Sequence, residues 1–172
     1  MKKELLLLRH AKSSWDDPRL DDFDRPLAPR GRAAAPLIGR FLEERHWRPL
    51  MALVSSSART RETWELVSSR FAHAPSPTFR DSLYEASAEQ LLAELRHTPE
   101  IVGTLLVLGH SPGLEEFALR LAGEGSDTGA LGQMRKKFPT AGLAHFEFTG
   151  RWEALQFGAA RLTHFLRPKD LA

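Results

Sequence analysis

The segment Glu4-Leu5-Leu6-Leu7-Leu8-Arg9-His10-Ala11-Lys12-Ser13-Ser14-Trp15-Asp16 sets four leucines directly against an arginine–histidine pair. Such a run is too short for a surface helix and fits a strand buried on both faces. In an open α/β sheet, ligands sit just beyond the carboxyl ends of such strands. A turn there carrying Arg9, His10, Lys12 and the hydroxyls of Ser13 and Ser14 favours an anion, and the histidine offers chemistry on it. Taken alone, the same residues also suit the polar end of an edge strand.

Two further segments repeat the pattern. Met51-Ala52-Leu53-Val54 runs into Ser55-Ser56-Ser57-Ala58-Arg59, where serine suits an N-cap, and then a helical pattern through Trp64, Leu66, Val67 and Phe71. Thr104-Leu105-Leu106-Val107-Leu108 ends in Gly109-His110-Ser111-Pro112-Gly113 before a second helical pattern on Leu114, Phe117, Leu119 and Leu121. Strands alternating with helices predict a largely parallel sheet with right-handed crossovers. All three polar turns then line one sheet edge, and that convergence favours a functional site over three unrelated strand ends.

The intervening stretches complete the expected architecture. Residues 17–31 read as a loop, followed by a helix from about Gly31 or Arg32 on Leu37, Ile38, Phe41 and Leu42, ending before Pro49. Trp47 is expected to cover the core. Pro75 and Pro77 mark a turn, and Ser87 with Gln90 forms a capping-box pattern for a helix over 88–97. Residues 123–142, with Arg135-Lys136-Lys137, are expected as a functional loop. Leu143 to Phe148 reads as a strand, Thr149-Gly150 as a turn and Trp152 to Phe157 as the return strand, with Leu162, Phe165 and Leu166 docking the tail. The fold expected is an α/β three-layer sandwich: a mostly parallel central sheet, helices on both faces and an antiparallel edge hairpin.

With 172 residues the chain holds one full core and is short for two, so residues 1–172 are expected as a single domain. Its 24 Lys plus Arg against 22 Asp plus Glu leave a net charge of +2, which argues against nucleic-acid binding by bulk charge. Any anion site must come from local placement of arginines. The absence of cysteine removes thiol nucleophiles, thiolate metal sites and disulfides. Lys2-Lys3 before the leucines imitates a secretory leader, but Arg9 and His10 end the apolar run too soon, and no stretch reaches membrane-spanning length. A cytoplasmic monomer is the simplest expectation.

Phosphoryl transfer suits these residue types. The three equatorial oxygens carry spread negative charge, and the planar guanidinium fork of arginine holds paired oxygens well. Arg9 and Arg59, from two strand ends, are positioned to clamp from two sides; Arg30 is a third candidate, and Ser13, Ser14 and Ser57 offer hydroxyls. A histidine attacks only with one ring nitrogen unprotonated and the other fixed by an acceptor, and a cationic nest keeps His10 neutral. His110 offers a bond to a phosphoryl oxygen or a proton beside it. A metal site on His10, His110 and Asp16, Asp22 or Asp24 is the competing chemistry, disfavoured because Arg9 beside His10 repels a cation.

These residues carry a family likeness. Arg9-His10-Ala11-Lys12-Ser13-Ser14-Trp15, Asp24-Arg25-Pro26-Leu27 with Gly31, Ser55-Ser56 with Arg59-Thr60 and Thr63, Leu83-Tyr84 with Ala86, and Gly109-His110-Ser111-Pro112-Gly113 resemble, in order and spacing, the histidine phosphatase superfamily of phosphoglycerate-mutase-like fold, in its small SixA-type phosphohistidine phosphatase branch. The resemblance implies that His10 is the phosphorylated nucleophile, that Arg9, Arg59 and His110 complete the phosphate pocket, and that Ser14 and Asp16 make secondary contacts. It also implies that neither metal nor cofactor is used. Two positions depart from the pattern: Ala11 stands where Arg-His-Gly is widespread, and the general acid is undetermined, with Glu85 the nearest candidate and Asp81 its neighbour. An undetermined acid favours a nitrogen leaving group, which can arrive protonated. The expected activity is therefore hydrolysis of protein phosphohistidine. A sugar-phosphate or nucleotide phosphatase is the alternative within the class, and a phosphate-dependent binding protein without turnover the alternative outside it.

Overall fold

A computed structural model describes residues 1–172. Six strands form one sheet: β1 (Lys2–Arg9), β2 (Met51–Ser55), β3 (Pro77–Arg80), β4 (Thr104–Gly109), β5 (Leu143–Thr149) and β6 (Arg161–Leu166), in the order β3-β2-β4-β1-β5-β6. The first four are mutually parallel, and β5 and β6 add an antiparallel pair beyond β1. Five α-helices accompany them: α1 (Pro29–Glu44), α2 (Ala58–Ser68), α3 (Ala88–Arg96), α4 (Gly113–Leu121) and α5 (Thr128–Lys136).

The four leucines explain the layering. Successive strand residues point to opposite faces, so Leu5 and Leu7 join the cluster of Leu91, Leu114 and Phe117 from α3 and α4, with Met134 of α5. Leu6 and Leu8 join Ile38, Leu42, Trp64 and Val67 from α1 and α2. β1, in register with β4 on one side and β5 on the other, is thus buried on both faces and both edges.

Two close approaches seat the site loops. At Gly31 in the first turn of α1, a Cβ would lie 2.2 Å from the Lys12 carbonyl oxygen; at Gly113, which opens α4, it would lie 1.8 Å from that of Ala86. Only glycine lets those helices rest directly on backbone.

Several sequence expectations are corrected. α1 opens at Pro29 rather than at Gly31 or Arg32, because proline suits the first helical position. The turn expected at Pro75 and Pro77 leads into the short edge strand β3, with proline at its first residue, where no ladder donor is lost. Residues 123–142 are not a bare loop: α5 lies within them, its N-cap Asp127 accepting the Ala130 N–H at 2.8 Å and Met134 fully buried. The return strand is β6 and not 152–157; Trp152 is instead a buried plug in a short 3-10 turn, its indole N–H donating to the Val102 carbonyl at 2.8 Å. The capping box of Ser87 and Gln90 is formed at α3, and Trp47 covers the core by stacking on His145 with ring centroids 4.1 Å apart. No helix is long and apolar enough to cross a membrane.

Candidate active site

The carboxyl ends of β1, β2 and β4 bring His10, Ser55 and His110 to one edge of the sheet. The backbone of His10 is held from both sides: its N–H donates to Gly109 at 3.1 Å, and its carbonyl accepts from Ala141 at 2.9 Å. The next residue ties this loop to α2, since the Ala11 N–H donates to Thr63 Oγ1 at 3.0 Å.

His10 Nδ1 lies 2.7 Å from the Ala11 carbonyl oxygen. A carbonyl only accepts, so Nδ1 carries the proton and Nε2 presents its lone pair. Burial pushes the His10 imidazolium down to about 4; the Ala11 bond opposes this, while Arg59, Arg9 and Arg25 add positive charge that lowers it further. The cationic nest read from the sequence acts in the expected direction, though burial is the larger cause.

The His110 ring lies 5.3 Å from that of His10, centroid to centroid. Its Nε2 is 2.8 Å from Ser55 Oγ and 3.5 Å from Ser57 Oγ, and its Nδ1 is buried without a partner. Burial, then His10 and Arg59, pushes His110 down to about 3. Ser57 occupies the N-cap position of α2 but does not cap it; its hydroxyl meets Thr60 Oγ1 at 2.6 Å instead.

Arg9 donates to the Phe138 carbonyl at 2.9 Å and keeps its Nε buried and unpaired. Arg59 is turned to Asp22, donating to its carbonyl at 2.7 Å and to Oδ2 at 3.0 Å. Asp22 also accepts from Arg25 at 2.8 Å on Oδ1 and from the Tyr84 hydroxyl at 2.5 Å on Oδ2. The Tyr84 bond, then Arg25 and Arg59, hold the Asp22 carboxyl well below the usual carboxylate range, while burial and then Asp22 push Tyr84 up to about 12. Tyr84 in turn packs edge-on against the His110 ring at 5.3 Å.

The other sequence candidates fall elsewhere. Ser14 uses its hydroxyl to accept the Asp16 N–H at 3.1 Å and its carbonyl to accept from Arg25, so it shapes the loop. Ser13 likewise accepts from Arg25, at 2.7 Å. Glu85 is exposed, with a left-handed backbone at φ 57°, and is not among the groups bonded around His10. Asp81 opens a 3-10 turn and offers its carbonyl to the Tyr84 N–H. Arg30 lines a separate groove with Lys12. From the sequence, Asp22 enters only as a metal ligand, and Arg25 and Tyr84 only as parts of motifs. Tyr84 is the sole tyrosine of the chain, and no spacing in the sequence ties it to Asp22. No three His, Asp or Glu side chains are grouped so as to hold a metal ion.

The arrangement is a neutral, oriented imidazole beside a second neutral imidazole, flanked by three arginines. Residues 5–101 match the profile of the histidine phosphatase superfamily (branch 1). The chain belongs to that superfamily. An uncharacterised Mycobacterium leprae protein is 34% identical over 94% of this chain and 100% of its own length. The solved structure of a protein from Nakamurella multipartitia provisionally named phosphohistidine phosphatase SixA is similar at a TM-score of 0.82 and 30% identity, covering 98% of this chain and 97% of that one. Its counterpart from Agrobacterium tumefaciens gives 0.81 and 31%, covering 96% and 98%. This histidine phosphatase is therefore of the SixA type, the phosphoglycerate-mutase-like fold is the one expected, and the general activity is that of a phosphatase.

Proposed function

We propose that this histidine phosphatase hydrolyses phosphohistidine on a protein through a covalent intermediate on His10. The observation that carries the substrate is the state of the acids. Asp22, linked to the histidines' surroundings through Arg59 and Tyr84, is locked ionised between two arginines and a tyrosine, and Glu85 is exposed and not bonded to either histidine. A sugar alkoxide needs a proton during cleavage, whereas a phosphoramidate nitrogen arrives protonated. A site with no poised carboxylic acid suits the second. The resemblance in sequence and shape to proteins named SixA supports the same choice.

In the first step His10 Nε2 forms a bond to phosphorus as the P–N bond to the substrate breaks, and the leaving imidazole departs neutral. Arg9, with its unpaired Nε, and Arg59, held by Asp22 where its charge acts on His10, balance the charge on the oxygens. With the Ser55 hydroxyl donating to His110 Nε2, the His110 Nδ1–H is an unused donor for a phosphoryl oxygen. Water then cleaves the P–N bond on His10 and returns the ring to its starting tautomer.

Rates on a phosphohistidine protein, compared with a panel of sugar phosphates and nucleotides, test the substrate. The expected order is a kcat/KM at least about a hundredfold higher on phosphohistidine, about 2.7 kcal/mol of transition-state preference. A sugar phosphate turned over faster than every phosphohistidine substrate overturns the reading.

A further inference from the structure

The molecule has a concave surface at the edge of the sheet where His10 lies. A groove of about 590 Å³ is lined by Lys12, Arg30, Lys136, Lys137, Arg167 and Lys169, with no aspartate or glutamate side chain in its walls. Its apolar lining comes from Ala34, Leu37 and Pro139, and Ala172 also lines it. Only Arg167 among the cations has a carboxylate partner, Asp170 at 2.8 Å. In a chain whose net charge is only +2, this is a local concentration of positive charge drawn from four separate segments.

The sheet register fixes where the groove lies. Leu8 of β1 pairs with Leu143 at the start of β5, and Leu143 pairs with Leu166 at the end of β6. The segments 136–140 and 167–169 therefore leave the sheet beside the turn that holds His10, one and two strands away. Neighbouring strands are about 4.8 Å apart and an extended chain advances about 3.3 Å per residue. A segment bound at His10 reaches the groove about three residues from the phosphorylated side chain.

The geometry points to a docking groove for an acidic segment of the phosphoprotein substrate, a stretch rich in aspartate or glutamate about three residues from the phosphohistidine. This rests on the proposed substrate and adds how that substrate is chosen. Charge complementarity calls for an anion, and two features select carboxylates on a chain over a nucleotide or nucleic acid. Four of the cations are lysines, point charges on flexible stems that accept carboxylates at varied positions, without the rigid fork that phosphate favours. No aromatic side chain lines the groove to stack a base.

The test separates docking from catalysis. Two labelled, non-phosphorylated peptides are compared for binding to the full chain at low salt, one carrying four glutamates starting three residues from a histidine and one carrying glycines there. The acidic peptide should bind about tenfold tighter, 1.4 kcal/mol. The preference should vanish in Lys136→Glu/Lys137→Glu, checked for folding by circular dichroism, and persist in Arg151→Glu, a charge reversal outside the groove. Equal binding of the two peptides, or a preference that survives in the double variant, overturns the groove assignment; so does tighter binding of a single-stranded oligonucleotide of equal charge. With the phosphohistidine forms of the same peptides, the glutamates should lower KM and leave kcat unchanged. If neither is hydrolysed, the phosphohistidine reading fails, while the binding ratio still decides the groove.

Discussion

His10 sits where three demands coincide: a fixed tautomer, a desolvated ring and neighbouring positive charge. The Ala11 carbonyl holds the proton on Nδ1, and burial with Arg59 and Arg9 keeps the ring neutral far below its ordinary pKa. A nuclear magnetic resonance titration of the free protein should therefore find the His10 ring neutral at pH 6, with its midpoint near 4. A midpoint at 6.5 or above contradicts the reading. Asp22 is a positioning residue for both Arg25 and Arg59. Asp22→Ala is expected to lower kcat/KM by about tenfold to a hundredfold, the usual cost of misplacing a charge-stabilising group, without preventing phosphorylation of His10. An unchanged kcat/KM would show that Arg59 needs no such holder. The meeting of His10, Arg9, Arg59 and His110 at one sheet edge is legible in the sequence because each ends or follows an apolar strand. The Asp22 clamp is not, because its partners come from residues 25, 59 and 84 and nothing local links them.

Among the elements, α1 and α5 decide how firmly the site is held. α1 rests on the Lys12 backbone at Gly31, and Gly31→Ala should push the helix off the loop that follows His10. Overpacking of this kind costs about 1–3 kcal/mol in urea unfolding, and activity should fall with it. A variant of wild-type stability and rate would mean the loop yields freely. α5 was missed in the sequence because Gly129 and Gly132 interrupt a short amphipathic pattern whose buried side is Met134 followed by Phe138. β6 is hidden in the sequence because Trp152, which suits a strand pattern, is a core plug, and the chain makes a longer detour before returning at Arg161. By contrast, β1, β2 and β4 announced themselves as uninterrupted apolar runs, as strands buried on both faces do. Met134→Ala should cost about 2–5 kcal/mol, the value for a packed core side chain rather than a loop residue.

For the whole molecule, one edge of the sheet collects His10, His110, Arg59 and the serines at the end of β2. Two buried neutral histidines at that edge tie stability to pH. Folded His10 and His110 take up protons only near 4 and 3, whereas in the unfolded chain they do so near 6.5. The unfolded state binds more protons in between, so stability is full above about pH 6.5 and falls as the pH drops toward 4. Urea midpoints at pH 7 and pH 5 should differ in that direction, and His110→Gln should flatten the slope.

The most direct measurement is to trap the phosphoryl group in transit. The protein is mixed with a phosphorylated substrate, quenched rapidly in alkali and mapped by mass spectrometry. One acid-labile phosphoryl group on His10, absent from His10→Ala together with all turnover, is the result expected. Turnover by His10→Ala, or a phosphoryl group resting on any other residue, would contradict the central claim.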